Sequence, residues 1–148
     1  PQTSGLGPSG VRASDRWSRP ARMSRDPWKL KVFSLADELV VDVYRATLGF
    51  PSTERFGLQA QVRRAAVSVA ANIVEGCARR TLRDYLHFIN VATASASEVR
   101  YLVGLAERLG FMPADNERLA ERYSTLIRGL QTLSSALEQR ARGPRSEA

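Results

Sequence analysis

The side chains that could carry out catalysis or bind a metal ion are few in this sequence. His87 is the one histidine and Cys77 the one cysteine. Asp84 and His87 are spaced as Asp-x-x-His, close to the Glu-x-x-His motif of di-metal helical proteins, but those proteins need two such motifs and two further glutamates. Ser68 and Ser95 have no surrounding motif of a nucleophilic triad. The sequence therefore predicts no enzyme activity, no metal site and no cofactor.

A second set of polar residues interrupts an apolar helical pattern between residues 54 and 79. The set consists of Gln61, Ser68, Asn72 and Glu75. Asn72 and Glu75 are three residues apart and so face the same side of a helix. A buried polar group without a partner costs about 1–3 kcal/mol, so these side chains need one another or another element. We interpret the set as a structural network that fixes helix register or a subunit contact, with a ligand site as the alternative.

The elements that must position these residues are four helices. Apolar residues recur at intervals of three and four, which predicts helices over about 28–48 and 54–79. A third helix is expected to begin after Thr81, as its N-cap, and to end at Gly110. A fourth follows a cap at Asp115. Short loops between long helices favour antiparallel neighbours, so we expect an all-α, up-down-up-down four-helix bundle over residues 28–139.

Both ends of the chain differ from this pattern. Residues 1–27 are rich in Arg, Ser, Gly and Pro, and residues 140–148 are basic, so we expect a flexible N-terminal tail and a basic C-terminal tail. The helical pattern starts just after Met23, which suggests that Met23 is the natural start of the protein. The single cysteine fits a reducing compartment, and no apolar run is long enough to cross a membrane. We therefore expect a cytoplasmic protein without membrane contact.

The net charge is +7, from 22 basic and 15 acidic residues. In the expected topology both tails and the turn between helices 2 and 3 meet at one end, which then carries the whole excess. Arginine binds phosphate in a bidentate manner, and a positive surface attracts nucleic acid through counterion release. The candidate contacts are Arg79, Arg80, Arg83, Lys29, Lys31, Arg140 and Arg142.

Helix 1 is more apolar than a monomeric bundle requires. Its polar residues occupy one narrow stripe, whereas a helix that packs on a single core needs an apolar face only somewhat wider than 100°. The surplus predicts a second buried face and hence a homo-oligomer. The candidate interface residues are Leu35, Leu39 and Val41.

The region around helix 2 also carries a family signature. It comprises Phe50-Pro51, Glu-Arg-Phe-Gly-Leu at 54–58, Gln-Val-Arg-Arg-Ala-Ala-Val-Ser-Val at 61–69 and Ala-Asn-Ile-Val-Glu-Gly at 71–76. This run closely resembles the four-helix-bundle proteins encoded in intervening sequences of bacterial 23S ribosomal RNA genes, and the likeness covers roughly residues 28–138. The resemblance implies an all-helical, cytosolic protein that assembles as a ring-shaped homopentamer. A related branch, the accessory proteins of diversity-generating retroelements, works with a reverse transcriptase and nucleic acid.

The chain departs from the family pattern at two places. Ala70 stands where the family often has proline, so helix 2 is expected to be straighter. Thr93 and Ala94 stand where the family often has Arg-Gly, which removes one positive charge. This loss weakens any transfer of nucleic-acid binding to that face.

The sequence thus predicts a non-enzymatic pentameric scaffold or accessory protein that binds RNA or DNA non-specifically through a basic end. The alternative is a pentameric hub that binds a protein partner and no nucleic acid. A third hypothesis, an enzyme whose site lies between subunits, has no motif to support it.

Overall fold

A computed structural model describes residues 25–114 and 118–143, and all regular structure within these ranges is helical. The four long helices are α1 (Lys31–Ala46), α2 (Leu58–Cys77), α3 (Leu82–Arg108) and α4 (Leu119–Arg142). Short 3-10 turns precede α1 at Pro27–Lys29 and α2 at Ser52–Glu54. The predicted all-helical fold with four helices is confirmed. Met23, Asp115, residues 1–24 and residues 144–148 lie outside the described ranges.

The first two helices begin later than predicted because side chains cap the turns in front of them. The Asp26 carboxylate accepts a hydrogen bond from the backbone N–H of Trp28 at 3.0 Å, and α1 begins only at Lys31. Glu54 Oε2 accepts from the Leu58 N–H at 2.9 Å and so starts α2 four residues after the expected position. A Cβ on Gly57 would lie 2.6 Å from this capping oxygen, so the absence of a side chain there keeps the cap in place.

The ends of α3 agree with the sequence. Thr81 Oγ1 accepts a hydrogen bond from the Asp84 N–H at 3.1 Å, as an N-cap does. At the other end Gly110 has a positive φ of 76°, and the Phe111 N–H donates to the Ala106 carbonyl at 2.9 Å. This pairing satisfies a terminal carbonyl and ends the helix.

The core is formed where the helices face one another. α2 packs on α3, α3 packs on α4, and α1 lies against both α2 and α4. Small residues allow close approach, since a Cβ on Gly76 would lie 3.0 Å from Phe88 Cβ and 3.1 Å from Tyr85 Cδ2. The largest fully buried side chains are Tyr123, Leu39, Ile73, Ile89, Leu119, Leu126 and Leu130. No helix in the described part of the chain has the length and apolarity needed to cross a membrane.

Candidate nucleic-acid interface

The segment before α1 is bound to the end of α2 and the start of α3. Arg25 Nη1 donates a hydrogen bond to the Arg79 carbonyl at 3.1 Å, and the Arg25 guanidinium lies 4.3 Å from the centre of the Tyr85 ring. Pro27 is buried, and the Trp28 ring meets Phe33 edge to face with 4.8 Å between centroids. Residues 25–27, which we expected to belong to a flexible tail, therefore make specific contacts with the helices.

Tyr85 lies near basic residues of two other chain segments, Arg25 before α1 and Arg140 of α4. Its pKa is raised to about 12, chiefly because the ring is buried, and the positive charges of Arg25 and Arg140 oppose this rise. The same burial raises the pKa of the neighbouring Cys77 thiol. Cys77 is fully buried, which agrees with a packing role rather than a nucleophilic one. The end of α4 thus lies close enough to Tyr85 for Arg140 to act on it.

Arg79 differs from the other candidate phosphate contacts because its side chain is already engaged. It forms an ion pair with Glu75, its guanidinium lies 4.6 Å from the centre of the Phe88 ring, and its carbonyl accepts from Arg25. Arg79 therefore holds the α2–α3 turn together, and an incoming phosphate would have to compete with these contacts.

The remaining candidates are exposed and available. None of them takes part in an ion pair with any residue that the structure describes. Arg80 lies in the turn between α2 and α3, just before the Thr81 cap, and Arg83 lies in the first turn of α3. We call the set the basic end: Lys29, Lys31, Arg80, Arg83, Arg140 and Arg142.

The expected polar network forms around only two of its four residues. The hydroxyls of Ser68 and Ser95 lie 2.9 Å apart, and Asn72 Nδ2 donates to Ser68 Oγ at 3.0 Å and to the Ser68 carbonyl at 2.7 Å. Gln61 is exposed and outside the network, and Glu75 pairs with Arg79 instead of Asn72. The added partner, Ser95, comes from α3. Its position on the buried alanine seam of that helix was the signal that could have identified it.

The three candidate interface residues of α1 face different surroundings. Val41 is 46% exposed and Leu35 is half-buried, so both have surface to offer to another subunit. The expectation for Leu39 is corrected, because its side chain is 0% exposed and packs inside the core of the protomer. The wide apolar surface of α1 is thus buried in the core on one side and exposed to solvent on the other.

An apolar groove lies between α1 and α2 beside this exposed surface. It has a volume of about 380 Å³, with Val40 of α1 and Val67 and Val74 of α2 among its lining residues. Val67 is exposed, as is Tyr44, over whose ring the guanidinium of Arg63 lies at 4.6 Å. We call this surface the α1–α2 groove.

The structure shows no metal-binding arrangement in the ranges it describes. His87 is exposed, and its ring meets Phe88 edge to face at 5.2 Å. No group of three or more His, Cys, Asp or Glu side chains among the described residues has the geometry to hold a metal ion.

Comparisons with known proteins show which family the chain belongs to. Residues 28–132 match the family described as 23S rRNA-intervening sequence protein. The fold is similar to a crystal structure from Bacteroides thetaiotaomicron, that of a protein of unknown function from the S23 ribosomal protein family. The TM-score is 0.63 and the identity 20%, over 70% of this chain and 95% of the other, so the likeness shows a shared fold. The comparison with curated proteins gave no match.

Proposed function

Because the chain belongs to the 23S rRNA-intervening sequence protein family, we propose that it is a non-enzymatic homopentameric scaffold or accessory protein that binds RNA or DNA through its basic end. Its place of action in this proposal is the cytoplasm. The single observation that carries the nucleic-acid part is the set of exposed basic side chains at the basic end, which form no ion pair with the described residues. Such side chains release counterions from a phosphate backbone without reading its sequence.

The helix order of an antiparallel bundle brings these residues together. Two cross-helix contacts support that order. Arg122 of α4 donates to Asp42 of α1 at 2.6 Å, and Ser134 of α4 donates to Asn90 of α3 at 3.0 Å. Asp42 lies late in α1 and Arg122 early in α4, and Ser134 lies in the second half of α4 and Asn90 in the first half of α3. Such pairs are expected when neighbouring helices run in opposite directions.

The α1–α2 groove supports the homo-oligomer. Val41, Tyr44 and Val67 expose apolar surface on both sides of this groove. Each square ångström of apolar surface removed from water contributes about 25 cal/mol, so a second copy that covers these side chains would stabilise the assembly. Five copies that close in a ring leave no α1–α2 groove uncovered.

The first experiment is size-exclusion chromatography with light scattering and the ratio of absorbance at 260 and 280 nm, at low and high salt. We expect a mass near five protomers, with nucleic acid that co-elutes at low salt and is lost at high salt. A monomer without nucleic acid at either salt concentration would contradict the proposal.

A pair of charge reversals then tests the basic end. Arg80→Glu with Arg83→Glu should weaken RNA binding and flatten its dependence on salt, because two phosphate contacts are removed. The matched control is Arg55→Glu with Arg64→Glu, which makes the same charge change at exposed positions outside the basic end. Equal losses in both double variants would argue against a localised basic interface.

A second function, a hub for a protein partner, is favoured by a different surface. Leu48, Phe56 and Leu109 are large apolar side chains in or next to the loops that follow α1 and α3, and Phe56 is 89% exposed. The rings of Phe50 and Phe111 pack against each other between these loops, with 5.7 Å between their centroids. Salt-resistant co-purification of one protein, lost in the Phe56→Ser variant, with no nucleic acid bound, would favour the hub.

A further inference from the structure

A second groove lies on the bundle surface between α3 and α4, away from the basic end. Its volume is about 510 Å³. Arg100, Tyr101, Gly104 and Arg108 line it from α3, and Ile127 lines it from α4. None of the described residues that line it is acidic. We call it the α3–α4 groove.

The α3 residues of this groove share one helix face, since Arg100, Gly104 and Arg108 follow at intervals of four and Tyr101 lies three residues before Gly104. Arg100 and Arg108 are eight residues apart, which places them about 12 Å apart along the helix axis. That length spans roughly three stacked nucleotide steps of about 3.4 Å each. Between them a Cβ on Gly104 would meet no atom within 4 Å, so the floor of the groove is open.

Tyr101 presents an unoccupied aromatic surface beside these arginines. It is 62% exposed. Arginine side chains cover the rings of Tyr44 and Tyr85, and no cation–π pair of the described residues involves Tyr101. Neither Arg100 nor Arg108 has an ion-pair partner within residues 25–114 and 118–143. Among the described residues, the Arg108 side chain makes one long hydrogen bond, 3.4 Å, to the Gly104 carbonyl.

We infer that the α3–α4 groove binds single-stranded nucleic acid, with one base stacked on Tyr101 and backbone phosphates held by Arg100 and Arg108. This inference rests on the proposed nucleic-acid function and assigns it a second surface. A positive groove with an exposed aromatic ring is the combination by which proteins bind single strands without reading their sequence. Duplex DNA keeps its bases stacked inside the helix, so the groove distinguishes single strands from duplexes. An acidic protein segment would use the two charges but has less need of the exposed ring.

The test measures fluorescence anisotropy of a labelled 12-nucleotide poly-dT strand and of a labelled 12-base-pair duplex with the full chain. Tyr101→Ala should weaken binding of the single strand roughly tenfold, about 1.4 kcal/mol, and leave duplex binding unchanged. Tyr101→Phe should retain single-strand binding, because the stacking ring is kept. Arg100→Gln with Arg108→Gln should lower the slope of log K against log salt by about 1.4 for the single strand.

Two further variants keep the test decisive. Arg55→Gln with Arg64→Gln removes the same charge elsewhere and should change the affinity for the single strand less than the groove pair does. Gly104→Gln should fill the groove from within a helix without a clash and abolish the preference for single strands. If Tyr101→Ala lowers the melting temperature, so that its weaker binding could result from partial unfolding, Gly104→Gln tests the groove in its place.

The outcomes separate this inference from the proposed function. If the wild-type chain binds neither probe, the proposed nucleic-acid function fails and the inference fails with it. If the chain binds both probes and Tyr101→Ala leaves the affinities unchanged, only the inference is overturned. If Tyr101→Ala lowers the mass in light scattering, the groove is a contact between copies, which also overturns it.

Discussion

The guanidinium of Arg25 lies over the ring of Tyr85, and its Nη1 donates a hydrogen bond of 3.1 Å to the carbonyl oxygen of Arg79. One side chain before the first helix thus joins the turn that follows α2 to the first turn of α3. Of the exposed arginines of the basic end, Arg80 lies in the turn that this contact holds and Arg83 in the first turn of α3. The placement of the candidate phosphate contacts therefore depends on a residue outside the four helices.

Replacement of Arg25 tests this dependence. Arg25→Ala should lower the free energy of unfolding by about 1–2 kcal/mol, since one hydrogen bond and one cation–π contact are lost. Urea unfolding followed by circular dichroism measures the change. Arg25→Lys is the control, because it keeps the charge and should lose only part of the stability; identical effects of both changes would show that the planar guanidinium is unimportant.

The hydrogen bonds of Asn72 give a second prediction. Asn72→Ala removes two contacts to Ser68 and leaves the half-buried Ser68 hydroxyl with Ser95 alone, so we expect a loss of about 1–2 kcal/mol. The exposed Gln61, on the same helix, makes no contact with this network, and Gln61→Ala should change stability by less than about 0.5 kcal/mol. Thermal melting of both variants, at equal protein concentration, makes the comparison. A melting temperature unchanged by Asn72→Ala would refute the structural role of the network.

Two glycines should respond in opposite directions to the same substitution. Gly76→Ala places a Cβ 3.0 Å from Phe88 Cβ and forces α2 and α3 apart, at a cost of about 1–3 kcal/mol. Gly104→Ala adds a methyl group in open space within a helix and should stabilise the chain by about 0.5–1 kcal/mol. Chemical denaturation of the pair distinguishes close packing from helix propensity. A stabilised Gly76→Ala variant would mean that the two helices are not held at this separation.

The raised pKa of Tyr85 predicts a loss of stability in alkali. The unfolded chain releases this proton near the ordinary tyrosine pKa of about 10, whereas the folded chain keeps it until about 12. The stabilising contribution is therefore complete below pH 10 and falls as the pH rises from 10 towards 12. Burial raises the pKa values of Tyr123 and Cys77 in the same direction. Urea midpoints at pH 8, 9.5 and 11 should decline, and Tyr85→Phe should reduce the decline between the last two.

Helix number and type followed from the sequence because the 3.6-residue period of α2, α3 and α4 depends only on which residues are apolar. The residues at which α1 and α2 begin could not be predicted in this way, because Asp26 and Glu54 cap turns whose geometry depends on more distant packing. Leu39 was placed at an interface because an almost wholly apolar helix gives no sign of which side faces its own core.

The candidate site, too, could be predicted from the sequence only in part. Charge and topology indicated the basic end, since both are properties of sequence order. The engagement of Arg79 with Glu75 and Phe88, and the partnership of Ser68 with Ser95, depend on how side chains of two helices meet. Tyr101 was missed because, as one aromatic residue in a long helix, its exposure is visible only once α4 is in place.

The burial of Cys77 makes the molecule convenient for site-directed labelling. It is the one cysteine of the chain, and its thiol is inaccessible with a raised pKa, so maleimide dyes should leave the native protein unmodified. A cysteine introduced at the exposed Thr53, in the loop between α1 and α2, would then be the one reactive thiol. A dye there reports on encounters with a polyanion or a second copy without altering the native thiol.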